Sequence, residues 1–288
     1  MTLKTESMGR IRVEHIEGTA IARLHIANPD KRNAMTFDML TDLNDALAQL
    51  DRDDSVKVVI VSGEGKDVTS GWDLSEVYDV FSRFPGGSSS IPSQRARIQY
   101  YSQIWGRNGL FPRYAQLHKL TIFEAKGLCY DVGLYLGLYS DLVVATPDLQ
   151  IGNPRWLFAG GEGDLKILAA TVGLRRAKQL VFLQNTVSAD EAKDMKLVEL
   201  VVPPEALDDT VMALAKTLSG IPRDNIFTAK NGSGGQFVSG MSGALSRAVG
   251  LSNILYRDGE FNFLKERRDN GLKAAMEAAE SYARGESS

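Results

Sequence analysis

An α/β fold is what this sequence predicts, and three observations carry the prediction. Residues 11–16 and 20–26 alternate apolar and polar side chains and are joined by Glu17-Gly18-Thr19, the pattern of a β-hairpin. A helix-period run follows, with Met39, Leu40, Leu43, Leu47 and Leu50 along one face and Thr36 placed to cap it. Residues 56–61 are then almost wholly apolar, as in a strand buried on both faces of a sheet. Strand, helix and strand in that order make a β-α-β crossover.

The later elements follow in the same manner. Residues 84–92, with two prolines, two glycines and three serines, form the most loop-like stretch, and a helix is expected from about Ser93 to Trp105. Residues 121–125 read as a short strand with a turn at Gly127, 131–139 as a helix and 141–145 as another strand. Helices are expected over 165–172, 175–183, 189–195 and 205–218, with a strand over 197–202 that stops at Pro203 and Pro204. Residues 1–221 are read as the core, and 222–288 as a helical appendage around the Gly/Ser-rich stretch 231–235.

Composition narrows the function. A net charge of −3 and a pI near 5.7 give no electrostatic reason to expect nucleic acid or an anionic membrane as partner. The first residues have no apolar run of the secretory kind, and no apolar stretch approaches the ~18 residues of a membrane span. The single cysteine, Cys129, excludes an intrachain disulfide and a cysteine-based zinc cluster, and fits a reducing cytoplasm. His15, His25 and His118 have no ligand-like spacing, so no metal is expected. His15 and His25 are expected on the solvated faces of their strands and His118 at an exposed helix end.

Four motifs in order carry a resemblance. They are Asn28-Pro29-Asp30-Lys31-Arg32-Asn33-Ala34-Met35; the stretch from Ser62-Gly63-Glu64-Gly65 to Ser70-Gly71-Trp72-Asp73-Leu74; Thr121 to Asp141 without a gap; and Ala189-Asp190-Glu191-Ala192 with Leu197-Val198. Together they resemble the crotonase (enoyl-CoA hydratase/isomerase) superfamily, from roughly Ile11 to the C-terminus. The resemblance implies a spiral of ββα units, a C-terminal trimerisation region giving a homotrimer or dimer of trimers, and an acyl-CoA substrate. No separate cofactor is implied, coenzyme A being part of the substrate.

It also implies a pair of backbone N–H groups, at Trp72 and Val132, aimed at the thioester oxygen. Val132 has independent support, because it opens a predicted helix whose unpaired N–H groups favour a developing anion. Trp72 stands where a small residue is usual, and either walls an acyl pocket or packs into the core. Lys31, Arg32 and Ala34 fall to the pantetheine and phosphates, Ser70, Gly71, Asp73 and Leu74 to the adenine and thioester, and Phe263 to an adenine. Gly133 belongs to the same helix mouth. The basic residue expected near Tyr282 has no clear counterpart.

The sequence departs from the family at its acid–base positions. Tyr135 and Arg155 stand where two glutamates usually carry the water and proton chemistry, and Asp131-Val132-Gly133 replaces a triple glycine. Tyrosine, at a reference pKa of about 10, is a poor base near neutrality, and arginine is not one. Simple syn hydration is therefore not expected. Glu162 is the leading replacement as base, acid or nucleophile, while Asp164 suits the next helix's N-cap. Asp131 is expected to cap its helix, with service as the acid or base as its alternative role. Tyr135 either faces substrate or belongs to the core. Arg155 either binds a second substrate carboxylate or pairs with Glu162. Tyr78, Phe81, Phe84, Tyr100, Tyr101, Trp105, Phe111 and Tyr114 would wall a bulky acyl group or simply pack. The expected function is acyl-CoA chemistry through a stabilised enolate. The alternatives are cleavage of a C–C bond in a β-diketone or a β-oxo or β-hydroxy acyl substrate, and a non-catalytic binding protein.

Overall fold

The alternating runs near the start pair as read. Strands β2 (Ile11–Ile16) and β3 (Ile21–Ile26) are antiparallel, with Val13 opposite Leu24. This computed structural model describes residues 4–8, 10–76, 80–87, 92–156, 163–183, 185–230 and 263–283. Ahead of the hairpin lies β1 (Lys4–Met8), antiparallel to β2, which the polar run Lys-Thr-Glu-Ser does not announce. Helix α1 (Phe37–Arg52) starts where Thr36 accepts a hydrogen bond from Met39 N–H, and buries Met39, Leu40, Leu43, Leu47 and Leu50. It returns the chain to β4 (Val58–Gly63), parallel to β3 and buried at every residue, so the crossover forms as expected.

After β4 come α2 (Gln94–Trp105), capped by Ser93, and α3 (Leu110–Ala115). Next are β5 (Leu120–Ala125), β6 (Leu128–Tyr130), α4 (Val132–Tyr139), β7 (Leu142–Ala145) and β8 (Gln150–Gly152). The later part holds α5 (Leu165–Val172), α6 (Leu174–Leu183), β9 (Thr186–Ser188), α7 (Ala189–Asp194), β10 (Leu200–Val201) and α8 (Pro204–Ser219). The strand expected over 197–202 shrinks to two residues, because the Leu197 N–H is taken by Ala192 O at the end of α7 and the register with β7 covers only Leu200 and Val201. A helix runs Phe263–Ala283, broken at Gly271 where φ is +87°. The Gly/Ser-rich stretch 231–235 lies outside the described residues.

The described strands form two sheets, one of seven strands in the order β1-β2-β3-β4-β5-β7-β10 and one of three in the order β6-β8-β9. From β3 onward the large sheet is parallel. One face of it meets α1, α4 and the small sheet in the main core. On the other face Ile21, Val58, Ile60, Ile122 and Val144 are covered by Leu207, Val211 and Ala215 of α8. His25 corrects the expectation of a solvated position. Its side chain is 12 % exposed, with Nδ1 2.9 Å from Ser62 Oγ and Nε2 3.5 Å from Glu14. Alternation marked the non-core face, but neighbouring polar residues close that face over. His118 is exposed, as expected.

Candidate functional site

The site is built where the chain leaves β4 and crosses to the edge of the small sheet. Asn33 is the central stitch. Its side chain is fully buried, accepts Asn28 N–H at 2.7 Å, and donates to Glu64 O at 2.9 Å and Asp67 O at 2.8 Å. The Thr69 hydroxyl donates to Asn33 O at 2.6 Å and accepts Gly71 N–H at 3.0 Å. Arg32 and Asn33 both have positive φ, +51° and +55°. The one mark that this role leaves in the sequence is a polar residue between two turn-rich segments.

Next, residues 69–72 run beside residues 129–132. Thr69 bridges Cys129 in parallel, with Thr69 N–H donating to Leu128 O at 2.9 Å and Tyr130 N–H to Thr69 O at 3.0 Å. Two residues on, a Cβ on Gly71 would lie 2.9 Å from that of Asp131. The two segments therefore stay in step, and Trp72 falls level with Val132. Met35 fixes the outer side, accepting Asp73 N–H and donating to Gly71 O, both at 2.8 Å. These bonds use the amides on both sides of Trp72 but not its own. Val132 opens α4, so its N–H has no partner within the helix. Among the described residues, neither Trp72 N–H nor Val132 N–H has a protein acceptor. Val132 is fully buried, and Trp72 lies half-buried, packed against the main core.

The residues expected around coenzyme A lie on the adjoining loops. Lys31 and Arg32 are exposed, and Ser70 N–H donates to Arg32 O at 2.9 Å. Lys31 Nζ reaches Asp73 Oδ2 at 3.1 Å, joining the two loops. Burial works against the Asp73 charge, yet the hydroxyl and N–H of Ser75, with Lys31, hold its carboxyl below the ordinary value. Ala34 O accepts from Asn28 Nδ2 at 3.0 Å, and Leu74 is half-buried in the turn after Asp73. Gly133 packs so tightly that a Cβ there would lie 2.9 Å from Cys129 Sγ. Phe263 opens the C-terminal helix, and its side chain, like Tyr282, lies outside the described residues.

Residues 17–237 match the enoyl-CoA hydratase/isomerase family. The chain belongs to that family. It is 30 % identical over 224 residues to 4-chlorobenzoyl coenzyme A dehalogenase-2 of an Arthrobacter species, spanning 76 % of each chain. It is 28 % identical to the short-chain-enoyl-CoA hydratase of Clostridium acetobutylicum, over 70 % of this chain and 73 % of that one. An enoyl-CoA hydratase/isomerase structure from Xanthobacter autotrophicus Py2 superposes with a TM-score of 0.77 at 25 % identity, over 96 % of this chain and 99 % of the other. The fold is therefore the crotonase fold.

Within this family frame the departures take definite places. Tyr135 is 2 % exposed, its ring 5.1 Å from Trp105 and 5.3 Å from Phe111 between centroids, so the ring belongs to the core. Its hydroxyl end points at Gly163, where φ is +103° and a Cβ would fall 1.8 Å from Oη. Glu162, the preceding residue, lies outside the described residues, as does Tyr78. Phe81, Tyr101, Trp105, Phe111 and Tyr114 are buried, so these aromatics pack against one another and the core. Asp164 caps α5 as expected, accepting Lys166 N–H and Ile167 N–H, and takes the Tyr139 hydroxyl at 2.7 Å.

One expectation is corrected. Asp131 precedes α4 at φ +53° and ψ −98°, and its side chain makes no capping bond. Arg155 uses its Nη1 on Asp131 Oδ2 at 2.7 Å, the carboxylate that capping would have engaged. A non-glycine residue held in so sparsely populated a region costs about 1–3 kcal/mol. Asn153 closes the group, its Oδ1 accepting Arg155 N–H at 3.0 Å.

Proposed function

We propose that this family member binds a bulky acyl-CoA thioester and stabilises the enolate formed beside its carbonyl. The observation that carries the reading is the pair of unpartnered amides, Trp72 and Val132, brought level by the parallel run of 69–72 beside 129–132. Two such donors suit a thioester oxygen that gains negative charge, and losing one typically costs on the order of 100- to 1,000-fold in turnover. Lys31 and Arg32 supply exposed positive charge for the phosphates, with Ala34 along the pantetheine, Ser70, Gly71, Asp73 and Leu74 near the adenine and thioester, and Phe263 toward the adenine. A relative named for 4-chlorobenzoyl coenzyme A supports an aromatic acyl group. Glu162 is proposed as a later acid–base group. Simple syn hydration is not proposed, since Tyr135 and Arg155 supply no base. The exposed Leu174, Phe182 and Leu183 on α6 suit an assembly of copies, and a homotrimer or a dimer of trimers is proposed.

The test is calorimetry with benzoyl-CoA and with S-benzyl-CoA, which keeps the ring and the nucleotide but lacks the carbonyl. Two hydrogen bonds at about 1 kcal/mol each predict that the thioester binds roughly 30-fold more tightly. Equal affinity, or no binding of either, overturns the reading.

A further inference from the structure

Asp131 sits where a carboxylate is unfavourable on two counts. Its backbone lies at φ +53°, which any L side chain resists and glycine does not. Its side chain is also 7 % exposed, in an interior that penalises charge. The usual compensation at such a place, an N-cap, is absent. Oδ2 is taken by Arg155 Nη1 at 2.7 Å. Among the described residues, Oδ1 meets only Asn153 Nδ2 at 3.5 Å, at the limit of a hydrogen bond. One oxygen therefore keeps the capacity to accept a proton. It belongs to the residue directly before the Val132 amide, and the Cβ and the Arg155-paired Oδ2 of the same side chain lie against Gly71, directly before the Trp72 amide.

We propose that Asp131 is the general base that removes the proton from the carbon beside the thioester carbonyl, with Arg155 as the positioning residue that orients it and balances its charge. The proposal rests on the reading that a thioester oxygen occupies the Trp72 and Val132 amides. The Cα–H bond breaks and its electron pair forms the enolate C=C bond. The carbonyl π pair moves onto the oxygen held by the two amides, and the proton passes to Asp131 Oδ1. Return of the proton reverses the step. Arg155 keeps the net charge beside the developing oxyanion near zero, so the base does not repel the enolate it generates. The backbone strain and the burial are then explained together: both are consequences of placing a carboxylate at the mouth of the amide pair.

The experiment uses phenylacetyl-CoA with the full chain in D2O, following α-proton exchange by NMR and affinity by calorimetry. The wild type is expected to bind and to exchange the α-protons. Asp131→Asn tolerates the left-handed backbone and keeps the polar shape. It is expected to bind within a few-fold of wild type and to exchange on the order of 100-fold or more slowly. Asp131→Gly, which relaxes the backbone, is a second variant should the first fold poorly. It is expected to lose exchange and to regain part of it as formate is added. Exchange at the wild-type rate in either variant overturns the proposal, as does a wild type that binds without exchanging. A wild type that fails to bind overturns both this proposal and the thioester reading. An affinity loss that accounts for the whole rate loss assigns Asp131 a structural role instead.

Discussion

Substituting alanine for Gly133 sets local propensity against packing at the mouth of α4. Helix propensity alone favours the change by about 1 kcal/mol. The structure opposes it, because the new Cβ would lie 2.9 Å from Cys129 Sγ and 3.0 Å from Thr69 Cγ2. Neither neighbour can yield cheaply. Cys129 is fully buried, and turning Thr69 would break its bonds to Asn33 O and from Gly71 N–H. Overpacking of this kind costs about 1–3 kcal/mol, so against the propensity gain a net loss of up to about 2 kcal/mol is expected. The relief available is a slide of α4 away from residues 69–71. Val132 leads that helix, so the slide also separates its amide from that of Trp72 and weakens thioester binding. Urea unfolding of the wild type and of Gly133→Ala measures the first effect, and calorimetry the second. Adding Cys129→Ala removes Sγ, so it should cost less in the Gly133→Ala background than alone. A Gly133→Ala protein more stable than the wild type by about 1 kcal/mol, as propensity alone predicts, would refute the packing argument.

Two further outcomes are expected. Asn33→Ala leaves the partly buried Glu64 O and Asp67 O without their donor and the buried Asn28 N–H without its acceptor. A loss of about 2–5 kcal/mol in urea unfolding is expected, and a loss below about 1 kcal/mol would contradict the role assigned to this side chain. His25 is held below its ordinary value, chiefly by burial and also by Arg12 and Arg23, against the pull of Glu14. The unfolded chain therefore takes up this proton more readily than the folded one. The His25 contribution is complete above pH 6.5 and is lost as pH falls from there through the lowered folded value. Urea midpoints at about pH 7.5 and about pH 5.5 should show a smaller decline for His25→Asn than for the wild type, and an unchanged decline contradicts the assignment.

The long elements were legible because their periodicity extends over enough residues to be read. The Thr36 cap, the apolar face of α1, the buried β4 and the four later helices all follow from spacing and capping chemistry. Strands β6, β8 and β9, at three residues each, were not legible, since so short a run shows no alternation and is defined by its partner alone. The site divides in the same way. The amides of Trp72 and Val132 could be named because a backbone donor depends on a turn and a helix start, both of which leave marks in sequence. The Asp131–Arg155 pair could not, because it joins residues on separate elements and depends on a left-handed φ that no side chain announces. His25 failed for a related reason: alternation gives the face of a strand, but burial of that face is set by Glu14, Ser62 and their neighbours across the sheet.

The central claim is that two main-chain donors converge on one carbonyl oxygen, and the bound carbonyl itself reports on this. Isotope-edited infrared spectroscopy of benzoyl-CoA labelled with 13C at the thioester carbonyl isolates that stretch from the protein background. Polarisation by Trp72 N–H and Val132 N–H predicts a band shifted to lower frequency than in water, and narrowed to a single environment. A bound thioester whose carbonyl band stays at its solution frequency would contradict the account.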